Sequence, residues 1–266
     1  MYNFAYHRPS SLADAQAALE RADDGQFLAG GQTLIPTLKQ RLAQPSDLID
    51  LSGIAELRGI AVSGDTVAIG AMTRHAEVAA SAEVAQAIPA LAHLVSLIGD
   101  PQVRNLGTIG GSLAISDPSA DYPAAVLGLG ATVHTNSREI AADDYFRGLF
   151  ETALEDGEII TKVVFPAPEK AAYTKFPNPA SRYAIVGVMV AKTAQGVRVA
   201  VTGAGPCAFR AGEMESALDE NFSAGALDGI SVPADGLNSD LHASAEYRAH
   251  LVGVMARRAV TAAAAG

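Results

Sequence analysis

The sequence holds one cysteine, Cys207, and no tryptophan among its 266 residues. One thiol cannot close an intrachain disulfide. Nor can it support an iron–sulfur cluster or a cysteine-rich zinc site within the chain, since each needs several thiolates. The histidines (His7, His75, His93, His134, His242, His250) lack the H-x-x-x-H spacing of a helical metal site. Charge is also scarce: 18% of residues are charged, 49% are hydrophobic, and the net charge is −10 at pH 7. That sign excludes a non-specific nucleic-acid footprint and argues against an anionic membrane surface. Any bound phosphate has to be held by backbone N–H groups and a few local basic side chains. No apolar run approaches a membrane span, and the opening MYNFAYHRPSS lacks the form of a signal peptide, so a cytoplasmic protein is expected. Hydrolase chemistry has no motif either: there is no G-x-S-x-G elbow, and Cys207 has no neighbouring histidine.

What is present fits a globular chain long enough for two or three subdomains. Ser11 with Asp14 forms a candidate capping box, and Leu12, Ala15, Ala18 and Leu19 follow at helical spacing up to Gly25. Residues 26–29 read as a strand running into a glycine turn. Leu34, Ile35, Leu38 and Leu42 mark a second helix with Pro36 in its first turn, and 47–51 reads as another strand. Residues 59–62 and 66–70 predict a hairpin around Ser63-Gly64-Asp65. Helices are expected near 74–80, 82–97 (interrupted by Pro89) and 122–129, with strands at 132–135 and 158–165. Pro166 and Pro168 mark a boundary. Beyond it, strands at 184–191 and 197–202 pair across Gln195-Gly196, and helices cover 213–218 and 244–264.

Two glycine loops carry the functional signal. Ala29-Gly30-Gly31-Gln32-Thr33 follows a strand and opens a helix, so its N–H groups are candidates for a phosphate cradle. It matches neither G-x-G-x-x-G nor the Walker pattern. Thr108-Ile109-Gly110-Gly111-Ser112 repeats the chemistry of paired glycines flanked by hydroxyl residues, and together the loops suggest a pyrophosphate clamp. Asp121 follows among small residues, a candidate for hydroxyl recognition or for a helix N-cap. Arg104 and Asn105 could neutralise phosphate or brace the loop; Asp100 reads as a turn residue, and His75 as structural.

Taken together, AGGQTLIPTLKQRLAQPSDLIDL and GDPQVRNLGTIGGSLAISDPSADYPAA resemble the FAD-binding medium subunit of molybdenum hydroxylases. That family includes carbon monoxide dehydrogenase and bacterial multi-subunit xanthine dehydrogenases. YTKFPNPASRYAIVGVMVA and VTGAGPCAFRAGEMESAL resemble its C-terminal domain, so the likeness spans nearly the whole chain. The resemblance implies an α+β chain: an FAD-binding domain of the PCMH, or vanillyl-alcohol-oxidase, type in two subdomains (1–53 and 54–166), then a C-terminal domain (167–266) of antiparallel sheet plus helices. It implies that Ala29 to Thr33 and Thr108 to Ser112 carry the FAD pyrophosphate and that Asp121 accepts hydrogen bonds from the polyol. Lys175 would lie near the flavin and Tyr183 against its ring. Pro177-Asn178-Pro179 depart from the family, where many members carry basic residues, and the cysteine-rich insertion of some members is missing.

The function so implied is electron relay. Electrons would come from a 2Fe-2S small subunit and leave to a terminal acceptor, while a molybdopterin-binding large subunit oxidises the substrate, in a heterotrimer or its dimer. No dedicated catalytic acid–base pair and no metal ligand is then expected in this chain. A stand-alone flavin oxidase or reductase of the same fold and a flavin-free scaffold are the alternatives; neither the substrate nor the acceptor is encoded here.

Overall fold

The computed structural model describes residues 1–265; Gly266, the last residue of the expected C-terminal domain, lies outside them. Three larger sheets, one after another along the chain, organise the fold. The first is parallel, in order β1-β3-β2, from β1 (Ala5–His7), β2 (Gly25–Leu28) and β3 (Asp47–Asp50). Helix α1 (Leu12–Arg21) connects β1 to β2. Ser11 caps it by accepting the Asp14 N–H at 3.1 Å, and its hydroxyl donates to the Asp14 carboxylate at 2.7 Å. The helix ends before Gly25, which instead starts β2. α2 (Leu34–Lys39) is likewise short: the chain turns at Gln40, and Leu42, expected on its apolar face, is exposed.

The second sheet is antiparallel, ordered β4-β5-β10-β6-β7, with β4 (Ile60–Ser63), β5 (Thr66–Gly70), β6 (Thr132–Thr135), β7 (Glu139–Ala141) and β10 (Ile160–Pro166). Between β5 and β6 lie six helices: α3 (His75–Ala80), α4 (Ala82–Ala87), α5 (Pro89–Ser96), α6 (Pro101–Leu106), α7 (Ile109–Ile115) and α8 (Tyr122–Gly128). The glycine-rich stretch is thus two short helices, not an open loop. Asp100, expected in a turn, caps α6 by accepting the Val103 N–H at 2.9 Å, and Thr108 caps α7. α9 (Ala142–Tyr145) and a small hairpin, β8 (Phe146–Gly148) with β9 (Glu151–Thr152), precede β10.

The third sheet runs β11-β12-β13-β14, from β11 (Lys170–Pro177), β12 (Ala184–Thr193), β13 (Gly196–Thr202) and β14 (Phe209–Arg210), with α10 (Gly212–Glu220) and α11 (Ala245–Ala265). Its central strand explains its own composition. Met189 and Ala191 enter the core shared with the second sheet, while Val186, Val188 and Val190 enter a separate core under α11. Both faces of β12 are covered, so its sequence is continuously apolar rather than alternating. α8 packs on this sheet from the other side: a Cβ built on Gly128 would meet the Met189 side chain at 2.5 Å.

Candidate functional site

A cleft of about 820 Å³ opens between the end of β2, the α6–α7 segment, residues 154–160 and the loop before β12. Both glycine loops reach it, and they touch each other. A Cβ built on Gly30 would run into the Leu106 carbonyl and lie 2.8 Å from Gly107 Cα. One built on Gly111 would lie 3.2 Å from Ala29 Cβ. Only residues without side chains let the two backbones approach this closely.

The loops differ in what they offer. In the second, four of the five N–H groups are committed, and that of Thr108 has no acceptor among the described residues. Ile109 donates to the Thr73 carbonyl (3.4 Å), Gly110 to the Ala71 carbonyl (2.8 Å), Gly111 to Thr108 Oγ1 (3.2 Å) and Ser112 to the Thr108 carbonyl (3.0 Å). In the first, the N–H groups of Gly30, Gly31, Gln32 and Thr33 donate to no protein acceptor among the described residues. Gly31 sits at φ 69°, a left-handed position that suits glycine, and Thr33 is right-handed. Successive N–H groups in such a turn form an anion-binding concavity. The unpartnered main-chain donors of the two loops at the cleft are therefore those of Gly30 to Thr33 and of Thr108, and Ser112 also lines the cleft wall.

Asp121 lines the same cleft but caps nothing: no helix N–H reaches its side chain. Its buried carboxylate accepts from Tyr173 Oη at 2.5 Å and from Lys175 Nζ at 2.8 Å. The Lys175 side chain is 3% exposed and donates also to the Leu97 carbonyl at 3.1 Å. Burial pushes the Asp121 pKa up, while Lys175 and Tyr173 pull it back; burial and the facing carboxylate hold the Tyr173 phenol well above its usual value. This triad ties β11 to the start of α8, which joins the C-terminal sheet to the cleft.

Tyr183 stands at the cleft, 44% exposed, and partial burial with the charges of Asp117 and Asp121 raises its pKa. The Pro177-Asn178-Pro179 stretch folds into a tight loop. Asn178 Oδ1 accepts the N–H groups of Ala180 (2.9 Å) and Ser181 (3.1 Å), the Asn178 N–H donates to the Tyr183 carbonyl (2.8 Å), and Arg182 is held at φ 62°. Arg104 braces the loop before α6, with Nη1 donating to the carbonyls of Ile98 (2.8 Å) and Gly99 (3.2 Å).

Three further acidic or imidazole residues line the cleft. Asp117 accepts the Ser119 N–H, and burial raises its pKa. Glu158 takes both Nε and Nη2 of Arg138 at 2.9 Å, together with the Thr135 and Ser137 hydroxyls and the Glu155 N–H, and this donor set lowers its pKa to about 2. His75 is the third. Glu158 could not be picked out from sequence, because its partners Thr135, Ser137 and Arg138 lie some twenty positions away. Among the described residues no cluster of three or more His, Cys, Asp or Glu is placed to hold a metal ion, and no helix is long and apolar enough to cross a membrane.

Residues 2–168 match the family described as FAD binding domain in molybdopterin dehydrogenase, and residues 171–263 match the CO dehydrogenase flavoprotein C-terminal domain. The chain is 38% identical to the carbon monoxide dehydrogenase medium chain of Afipia carboxidovorans, over 97% of this chain and 96% of that one. It is 37% identical to the nicotine 6-hydroxylase medium subunit of Paenarthrobacter nicotinovorans, over 98% and 97% respectively. Among solved structures, a chain of reconstituted CO dehydrogenase from Oligotropha carboxidovorans superposes with a TM-score of 0.90 at 37% identity, covering 99% of this chain and 98% of that one.

Proposed function

The chain belongs to the FAD-binding medium subunits of molybdenum hydroxylases, and from that premise we propose that it relays electrons between a 2Fe-2S small subunit and a terminal acceptor. A molybdopterin-binding large subunit oxidises the substrate in the same cytoplasmic complex, a heterotrimer or its dimer. FAD supplies the redox chemistry, because it can exchange one or two electrons where side chains cannot. The observation that carries the reading is the run of four N–H groups from Gly30 to Thr33 without a partner among the described residues, on residues that line a cleft of about 820 Å³.

The residues present fit such a group. Gly30, Gly31, Gln32 and Thr33 would hold the pyrophosphate by main-chain donation, with Ala29 beside them at the cleft, which suits an acidic chain with no general attraction for phosphate. Thr108, Ile109, Gly110, Gly111 and Ser112 would form the floor, held in place by the inward bonds of the Ile109, Gly110, Gly111 and Ser112 N–H groups. Asp121 presents its remaining acceptor capacity to the polyol hydroxyls. Lys175 acts through Asp121, fixing the carboxylate and offsetting part of the cost of its burial. Tyr183 covers the ring end of the cleft and excludes water there. The division into 1–53, 54–166 and 167–266 is supported by the three sheets, one in each segment, and residues of all three segments line the cleft in which the cofactor would bind.

Reduction of the isolated chain and of the assembled complex by candidate organic substrates tests the relay. Bleaching of the flavin band should require the partner subunits. Direct bleaching of the isolated, FAD-loaded chain by an organic substrate would instead make it a self-sufficient oxidase.

A further inference from the structure

His75 opens α3 directly beneath the second glycine loop. It is 5% exposed and lines the cleft, yet its side chain makes no hydrogen bond to any described residue. The two ring nitrogens stand in different surroundings. Nδ1 is sealed from solvent without a partner, whereas Nε2 is not sealed and lies on the side of Gly107, where a built Cβ would come within 2.7 Å of it. The Tyr122 ring packs against the imidazole at 5.3 Å between centroids, and its fully buried hydroxyl also lacks a partner.

Buried groups left unpaired are costly, and a sealed N–H donor is rarer in proteins than an under-used acceptor. The ring therefore settles with its proton on Nε2, leaving Nδ1 as a sealed lone pair. Burial, aided by the Arg104 charge, lowers the His75 pKa to about 4, so the imidazole is neutral at physiological pH. Gly107 in turn abuts Gly30, the first residue of the unpartnered N–H run.

We propose that His75 is a cofactor-binding residue, donating a hydrogen bond from Nε2–H to an acceptor atom of FAD in the cleft. The inference rests on the FAD-binding reading above and adds a side-chain donor to the main-chain ones. It also explains Gly107: a side chain there would displace the imidazole. A neutral donor holds a polar acceptor without adding a buried positive charge.

The test uses the full-length chain stripped of flavin, titrated with FAD and followed by fluorescence. His75→Leu keeps an apolar side chain of related size but no donor; His75→Gln carries an amide N–H at a reach like that of Nε2. The proposal expects His75→Leu to bind FAD about tenfold more weakly, and His75→Gln to recover most of the loss. Nitrogen-15 spectra of histidine-labelled protein should show the His75 proton on Nε2, with that resonance shifting when FAD is added. Equal affinity for wild type and His75→Leu, matched weakening in both variants, or a proton on Nδ1 would overturn it. A wild-type chain that binds no FAD would refute the FAD-binding reading itself, which separates the two failures. Thermal melts of the flavin-free variants check that both fold.

Discussion

Replacing Gly30 by alanine tests whether the contact between the two glycine loops builds the cleft. The added methyl would sit 2.8 Å from Gly107 Cα and 2.9 Å from the Leu106 carbonyl carbon, and both neighbours are backbone. Apolar carbons settle at about 3.5–4.0 Å, so the loops must separate by roughly 0.7–1.2 Å. No side chain can rotate away to absorb this. Overpacking of that size costs about 1–3 kcal/mol. The functional loss should be larger. A donor moved by about 1 Å leaves hydrogen-bond range, and losing two charge-assisted bonds at about 1.5 kcal/mol each weakens binding roughly 100-fold. The assay is FAD titration of the flavin-free chain beside a thermal melt, with Gly212→Ala as control, since a Cβ there meets nothing within 4 Å. Gly30→Ala should fold, melt somewhat lower and bind FAD far more weakly, while the control changes neither. Wild-type affinity in Gly30→Ala would refute the loop-contact argument.

Lys175→Met leaves the Asp121 carboxylate buried with only Tyr173 as partner; removing one member of a buried pair costs about 3–5 kcal/mol. Urea denaturation should show that loss, and adding Asp121→Asn should restore part of it. Thr108→Val removes the acceptor of the Gly111 N–H and should cost about 1 kcal/mol in the same assay. Glu158 has a folded pKa of about 2 against an unreacted value of 4.5, so its contribution is complete above pH 4.5 and disappears as pH falls toward 2. Glu158→Gln should therefore flatten the fall in stability across that window; an unchanged acid-unfolding profile would contradict the assignment.

The parts of the fold legible in sequence are those set by local chemistry. The hairpin at Ser63-Gly64-Asp65, the pairing of β12 with β13 across Gln195-Gly196 and the Ser11 cap each depend on residues a few positions apart, and each stands in the structure. β1 and β11 were not legible. β1 is a three-residue, mostly exposed edge strand paired with residues some forty positions away, and β11 mixes lysines, alanines and aromatics without clean alternation. The same distinction runs through the site. Paired glycines with hydroxyl neighbours marked both loops, but which loop keeps its N–H groups free depends on Ala71 and Thr73, whose carbonyls take those of the second. Asp121 was visible as a carboxylate near a glycine run; its partners Tyr173 and Lys175 lie 52 and 54 positions on, in another sheet. Sequence likewise gives no hint that the sealed Nδ1 of His75 leaves only Nε2 to work with.

The central claim is that this chain is the FAD-carrying member of its complex. The most direct measurement is flavin content: the absorption spectrum of the purified complex, then identification and quantification of the flavin released when it is denatured. The account predicts a flavin band and about one FAD released per copy of this chain. A colourless complex that turns over substrate, with no FAD released, would contradict it.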